Sequence, residues 1–466
     1  MGAVCHVHRR TSNVRAPRPE PRVPVLHSPA MTAQSGAVES APAGHPPGLY
    51  VLFFTELWER YSFYSMMAIL ALYMNERLHF GVAHVGRVYG GYIAGVYFLP
   101  LIGGFLADRV LGFNRAVIVG GFLMMCGHLV LSVESLPFFY GGLVLLACGS
   151  GLLKPNVSTI VGNLYRDRPG LRDAGFNIFY MGINIGAFIA PLTVSWFKQR
   201  YGWGVAFGSA AGAMLISLAV FIGFNRYIRE AAQKVDQTSR EARAAAPAET
   251  RARVITLLMV FAISAVFWLA FYQNGFTLTF WARDNTLTTI APEKFQAIEP
   301  LGVILLSPLA VWLWMWLQRR RAEPSTPVKM LIGVLLVAGA FGMMAWAGLI
   351  GGDTGRVSVQ WLVWAYVIIA LGEIALSPMG LSLVNRVAPP RSRGVMMGGW
   401  FVSLAIGGYL SGSIGGYWNR MPHSRFFLLV VGILFVTAVL LLLMTPAIKR
   451  TIARVDAEER EAAQAP

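Results

Sequence analysis

Two glutamates and one arginine lie inside an otherwise apolar stretch, where an ionisable group needs a reason to be. The stretch runs from Leu49 to Met74, LYVLFFTELWERYSFYSMMAILALYM, and holds Glu56, Glu59 and Arg60 well within it. Its length suits a helix crossing a bilayer, and each such group near the bilayer centre costs about 2.5–3.5 kcal/mol on insertion scales. Glu56 is three residues before Glu59 and four before Arg60, so all three share one helical face. That face must point into a bundle or a wet cavity, and proton handling or substrate binding is the chemistry it suits. A surface row of ion pairs on a soluble helix is the competing reading, and the apolar flanks oppose it. Lys154, in GLLKPNV, is a second ionisable residue inside an apolar stretch. Pro155 follows it and frees a backbone carbonyl at that depth. The first-span carboxylates are the obvious partners for this lysine; the other reading is a lysine snorkelling to the interface.

The elements that position these groups follow from composition. The chain has 466 residues, 55% hydrophobic and 13% charged, with a formal net charge of +16. That is a polytopic membrane protein. The basic residues argue against nucleic acid, because they cluster in short loops (Arg166, Arg168, Arg172; Arg319, Arg320, Arg321; Arg386, Arg391, Arg393) as cytoplasmic loops do. Cys5, Cys126 and Cys148 have no metal or disulfide spacing. No metalloprotease, dinucleotide-binding or nucleophile-elbow motif is present, so neither an enzyme nor a resident metal or cofactor is expected.

Residues 1–48 are polar and rich in Pro, Arg and Ala, and read as a disordered tail without the apolar core of a signal peptide. Met31 is the expected true start, with residues 1–30 a mis-called extension. Twelve apolar stretches of spanning length follow, near 50–75, 87–107, 114–133, 137–161, 174–196, 203–225, 254–281, 298–318, 328–350, 360–386, 394–418 and 425–446. The expected organisation is an amino-terminal six-helix bundle (49–225), a basic linker (226–253), a carboxy-terminal six-helix bundle (254–446) and a tail (447–466). The linker carries Arg226, Arg229, Lys234, Arg240, Arg243, Arg251 and Arg253, which places it and both termini in the cytoplasm.

Six spans, a basic linker and six spans match the two-halved plan of the major facilitator superfamily, whose members bind substrate at the interface of the halves. GGFLADRVLGFNRAV (Gly103–Val117) resembles the superfamily's signature loop. Gly103 and Gly104 permit close helix packing, and Asp108, Arg109 and Arg115 form a charge cluster suited to a gate; Asp-Arg pairs that merely end a helix are the plainer reading. Four strings resemble the proton-dependent oligopeptide transporter family more specifically: ELWERYSFYSM (Glu56–Met66), GSGLLKPNVSTIVGNLY (Gly149–Tyr165), RDAGFNIFYMGINIGAFIAP (Arg172–Pro191) and LGEIALSPMGLSLVNRVAP (Leu371–Pro389). The resemblance extends from about Leu49 to Met444.

The resemblance implies an all-α fold of twelve transmembrane helices and a proton-coupled symporter of the inner or plasma membrane. It would import di- and tripeptides as a monomer in the lipid bilayer, with protons as the coupling ion. Glu56, Glu59 and Arg60 would form the proton cluster with Lys154 as salt-bridge partner, and Glu373 would face the substrate's amino group. Tyr97, Asn156, Asn184, Trp268, Trp400 and Phe401 match cavity positions. The chain also departs from the family. Met67 stands where relatives carry an arginine that holds the peptide carboxylate, Tyr272 where most carry glutamate, and Glu299 where they usually carry asparagine. Glu299 reads either as a titrating group replacing the carboxylate lost from the seventh helix, or as a helix-start residue favoured by the dipole. These departures leave open another small organic or peptide-like substrate. A membrane sensor that binds without transporting is the rival from a different class, and the intact charged cluster argues against it.

Overall fold

The computed structural model describes residues 44–233, 251–389 and 392–464. Met31 and the expected 1–30 extension lie outside the described residues, as do Lys234, Arg240, Arg243 and Arg391. From His45 onward the chain forms one compact unit. Eleven described helices are long and apolar enough to cross a membrane. The first helix, Pro47–Leu72, is as long but carries the three ionisable residues.

Five more helices complete the first half: Val82–Leu106, Phe113–Leu131, Leu136–Leu164, Arg172–Tyr201 and Trp203–Gly223. In the second half the seventh helix runs Arg251–Phe271, is broken by a 3-10 turn at Tyr272–Gly275, and resumes at Thr277–Asp284. The eighth to eleventh are Ile298–Arg319, Thr326–Ile350, Val359–Val387 and Arg393–Gly415. A two-residue parallel pairing of Thr286–Leu287 with Val357–Ser358 is the only described strand pair. The twelve-helix, two-halved plan expected from the sequence is the one observed.

The boundaries differ at the last helix. It continues from His423 to Gln464, where a separate tail was expected from 447. Ile448, Thr451 and Val455 recur at helical spacing and are buried, so this extension has an apolar stripe of its own. The Thr451 hydroxyl meets that of Thr256 at 2.9 Å, Arg253 pairs with Glu458, and Arg386 binds Asp456 at 2.6 Å, tying the extension to the seventh and tenth helices. The linker also opens with two short helical turns, Asn225–Tyr227 and Arg229–Gln233.

The halves meet chiefly where the second helix packs on the eleventh and the fifth on the eighth. In membranes such contacts rest on close backbone approach rather than on apolar burial. Gly86 and Gly412 are the point of closest approach: a Cβ on Gly86 would stand 2.2 Å from the Gly412 carbonyl oxygen, and one on Gly412 2.0 Å from that of Gly86. Gly86→Ala should therefore lower the unfolding temperature in detergent by an overpacking cost of about 1–3 kcal/mol. Gly91→Ala, where an added Cβ meets nothing within 4 Å, should leave it unchanged.

Candidate functional site

The fifth helix fixes the first one at the level of its charges. Gly182 and Gly186 lie four apart on the face that meets the first helix; a Cβ on Gly186 would stand 2.5 Å from the Leu57 carbonyl oxygen and 3.2 Å from Arg60 Cβ. Much of the long fifth-helix string thus serves to let a backbone through. The excess of small and polar residues in this stretch suits a helix that packs on neighbours, and the four-residue spacing of Gly182 and Gly186 sets the face that does so.

At this crossing Glu56, Glu59 and Arg60 are 2%, 0% and 2% exposed. The Arg60 guanidinium holds both carboxylates: Nε lies 3.2 Å from Glu56 Oε1, and Nε and Nη2 both bond the Glu59 carboxylate. Its Cζ also sits 5.2 Å from the centroid of the Phe63 ring. Arginine suits this position because its planar fork offers several donors at fixed geometry. Glu56 Oε2 is left buried with no hydrogen-bond partner. The cluster is a one-cation, two-anion arrangement with one free acceptor.

The expected ion pair of Lys154 with these carboxylates is not formed. Arg60, on the same helical turn, already occupies them, and Lys154 Nζ instead lies 4.3 Å from the centroid of the Tyr97 ring, a cation–π contact. Tyr97 faces Tyr272 of the seventh helix at 6.0 Å between centroids, and Tyr272 faces Trp268 at 5.5 Å. Lys154 is therefore joined to the second half through a file of aromatic rings. Tyr272 is the link.

Glu299 and Glu373 come together. Both are half-buried, Glu299 at the start of the eighth helix and Glu373 on the tenth, and these two helices pack against each other. Among the described residues neither is in an ion pair. Met67 is 7% exposed and belongs to the apolar core.

The remaining candidates divide. Asn156 and Asn184 donate their amides to carbonyls four residues back on their own helices, Leu152 at 2.6 Å and Tyr180 at 3.1 Å. Trp400 is 3% exposed and fills a slot left by Gly380, so it is a packing residue in this structure and not a cavity wall. Trp268, 6% exposed, packs against Gly407, with its indole nitrogen unpartnered; Phe401 is half-buried. Gly103 backs onto the carbonyl of Gly151, where a Cβ would stand 2.1 Å away. That carbonyl is the one Pro155 leaves without its helical donor. Asp108, Arg109 and Arg115 are exposed beyond the second helix, with Arg109 over the Phe105 ring at 4.5 Å. No group of three or more metal-ligating side chains occurs among the described residues.

One buried cluster had no signal in the sequence. At the end of the bundle remote from the termini, Glu293, fully buried, accepts from Ser195 Oγ at 2.7 Å and pairs with Lys198 Nζ at 2.7 Å. Ser195 and Lys198 belong to the fifth helix and Glu293 to the 3-10 turn Pro292–Ala297 before the eighth. Charges at two helix ends nearly a hundred residues apart look like ordinary interface residues until the fold brings them together.

Known proteins match this arrangement across the chain. The family model described as the POT family matches residues 114–244 and 229–427. A peptide transporter of Yersinia enterocolitica is 32% identical over 86% of this chain and 94% of its own. A di-/tripeptide transporter of Lactococcus lactis is 30% identical over 87% of this chain and 96% of its own. The crystal structure of a mutant of peptide transporter POT in complex with alafosfalin superposes with a TM-score of 0.80 at 33% identity, covering 88% of this chain and 96% of that one. A POT family transporter in complex with 5-aminolevulinic acid superposes with the same score at 27% identity, over 88% and 98%. With its charged first helix, its glycine-lined fifth helix and its two six-helix halves, the chain belongs to the POT family of membrane transporters.

Proposed function

We propose that this protein is a proton-driven importer of di- and tripeptides, working by alternating access as a monomer in the inner membrane with both termini cytoplasmic. The observation that carries the reading is the fully buried Glu56–Glu59–Arg60 cluster with one carboxylate oxygen unpartnered. Such a group has an empty acceptor waiting in low dielectric, and a proton is the smallest thing that fills it. The peptide relatives and the peptide-like ligands of solved family members support the substrate class. Each proton moving inward down a 100 mV potential contributes about 2.3 kcal/mol.

In this reading Glu59 and Glu56 take and release the proton and Arg60 trades contacts between them. Lys154, held over Tyr97 and free of the carboxylates, is the cation left for a substrate carboxylate. Glu299 and Glu373, with no cation opposite, receive the ammonium group. Tyr97, Asn156, Asn184 and Trp268 shape the walls between these poles, with Trp400 packed behind them in the slot at Gly380, and Gly103, Asp108, Arg109 and Arg115 act at the cytoplasmic rim. A second reading keeps the mechanism and changes the cargo. Met67 places an apolar side chain where relatives carry a cation, and Glu299 adds an acid. Both shift the site toward amines and peptide-like compounds with little negative charge.

Uptake of labelled dialanine into proteoliposomes with an inward proton gradient tests both readings. Accumulation should be abolished by an uncoupler and by Glu59→Gln; absence of uptake by folded protein, with uptake of an amino compound lacking a carboxylate, would select the second. The cluster also makes a stability prediction. Arg60→Gln leaves two buried carboxylates unpaired and should cost about 3–5 kcal/mol, seen as a lowered unfolding temperature. Adding Glu59→Gln to that variant should restore part of the loss, because one stranded charge is removed.

A further inference from the structure

The Lys198–Glu293–Ser195 cluster joins the halves, and the segment that carries Glu293 reaches further than that. The six-residue turn Pro292–Ala297 is wedged between them: Glu293 is fully buried, Phe295 is 3% exposed and Ala297 4%. From one side it is held by the fifth helix through Ser195 and Lys198 at 2.7 Å each. Gln199 bonds Ser195 Oγ at 3.1 Å and fixes the hydroxyl, and Lys198 Nζ lies 5.0 Å from the centroid of the Trp203 ring. From the other side Gln296 donates to the Ala68 carbonyl of the first helix at 3.1 Å and to Thr279 Oγ1 of the seventh at 2.9 Å. The turn then passes without a break into the eighth helix, whose first turn carries Glu299. One stiff segment thus touches the first, fifth and seventh helices and positions one member of the Glu299–Glu373 pair.

We propose that Pro292–Ala297 is the latch that holds the halves together at the end remote from the termini, and that it links this closure to occupancy of the Glu299–Glu373 pair. The inference rests on the alternating-access reading given above. Two features mark a latch rather than a static strut. A buried ion pair repays its desolvation only with complete hydrogen bonding, and Glu293 Oε2 has no partner. Opening this end returns both charges to water, so the closed and open arrangements stay near balance. The second ion pair at the same end, Arg283 with Glu76 at 3.1 Å, is partly exposed and so couples the halves weakly.

The test is a distance measurement between spin labels on cysteines placed at His79 and Thr289. These are exposed residues of the two halves at the latched end, introduced after Cys5, Cys126 and Cys148 are replaced. In liposomes, Glu293→Gln and Lys198→Gln should each raise the ratio of long to short separation by about tenfold, less than the full penalty for breaking a buried pair because Lys198 keeps some access to water. The double variant should add nothing to either single one, and Arg283→Gln should change the ratio less than about twofold. Lys198 is only partly buried, so its variant keeps the test open should Glu293→Gln fail to fold. Single variants that keep the wild-type distribution while the wild type itself opens with dialanine and low pH would overturn the latch. A wild type showing one distance under every condition would overturn alternating access, and the latch with it.

Discussion

The structure turns on a guanidinium that must satisfy two carboxylates in a medium with almost no water. Removing any one of Glu56, Glu59 or Arg60 from its partners would strand a charge in hydrocarbon, where the penalty is several kcal/mol. The geometry therefore has to be held from outside. That support comes from backbone rather than side chains: Gly182 and Gly186 bring the fifth helix against the first at the turn that carries the charges. A bulkier pair of residues would push the helices apart and let the cluster hydrate or break.

The same economy recurs in the second half with the opposite sign of emphasis. There the acids Glu299 and Glu373 sit on two packed helices without an ion-pair partner among the described residues, and Lys154 is held in the first half on the Tyr97 ring. Among the site groups of the first half, Glu56 and Glu59 are matched in number by Arg60 and Lys154. Glu299 and Glu373 of the second half have no ion-pair partner among the described residues. A zwitterionic or cationic cargo completes the account, which is why the charge layout bears on substrate choice as much as on proton movement.

The twelve spans and the charged first-helix face were readable because both rest on local pattern: apolar runs of bilayer length, and residues three and four apart. The helix count needed no knowledge of tertiary structure. Side-chain pairing was less accessible. Lys154 was expected on the carboxylates because only the inventory of charges was visible; the fold shows that Arg60 had already taken them. Trp400 matched a cavity position by motif, but Gly380 opposite it makes a slot that sequence spacing across two helices does not reveal. Glu293 and Lys198 gave no sign at all. The helical continuation beyond residue 446 was not legible for a different reason, since charged residues mask the buried stripe of Ile448, Thr451 and Val455.

That extension changes how motion inside the membrane is felt outside it. Residues 447–464 continue the twelfth helix for about 27 Å at 1.5 Å per residue. They are fastened to the seventh and tenth helices through Arg253–Glu458 and Arg386–Asp456. A rod clamped to one half and reaching past it behaves as a pointer. Any tilt of that half is magnified at the rod's tip in proportion to its length, so a buried rearrangement of a few ångströms is displayed as a larger sweep at the aqueous face.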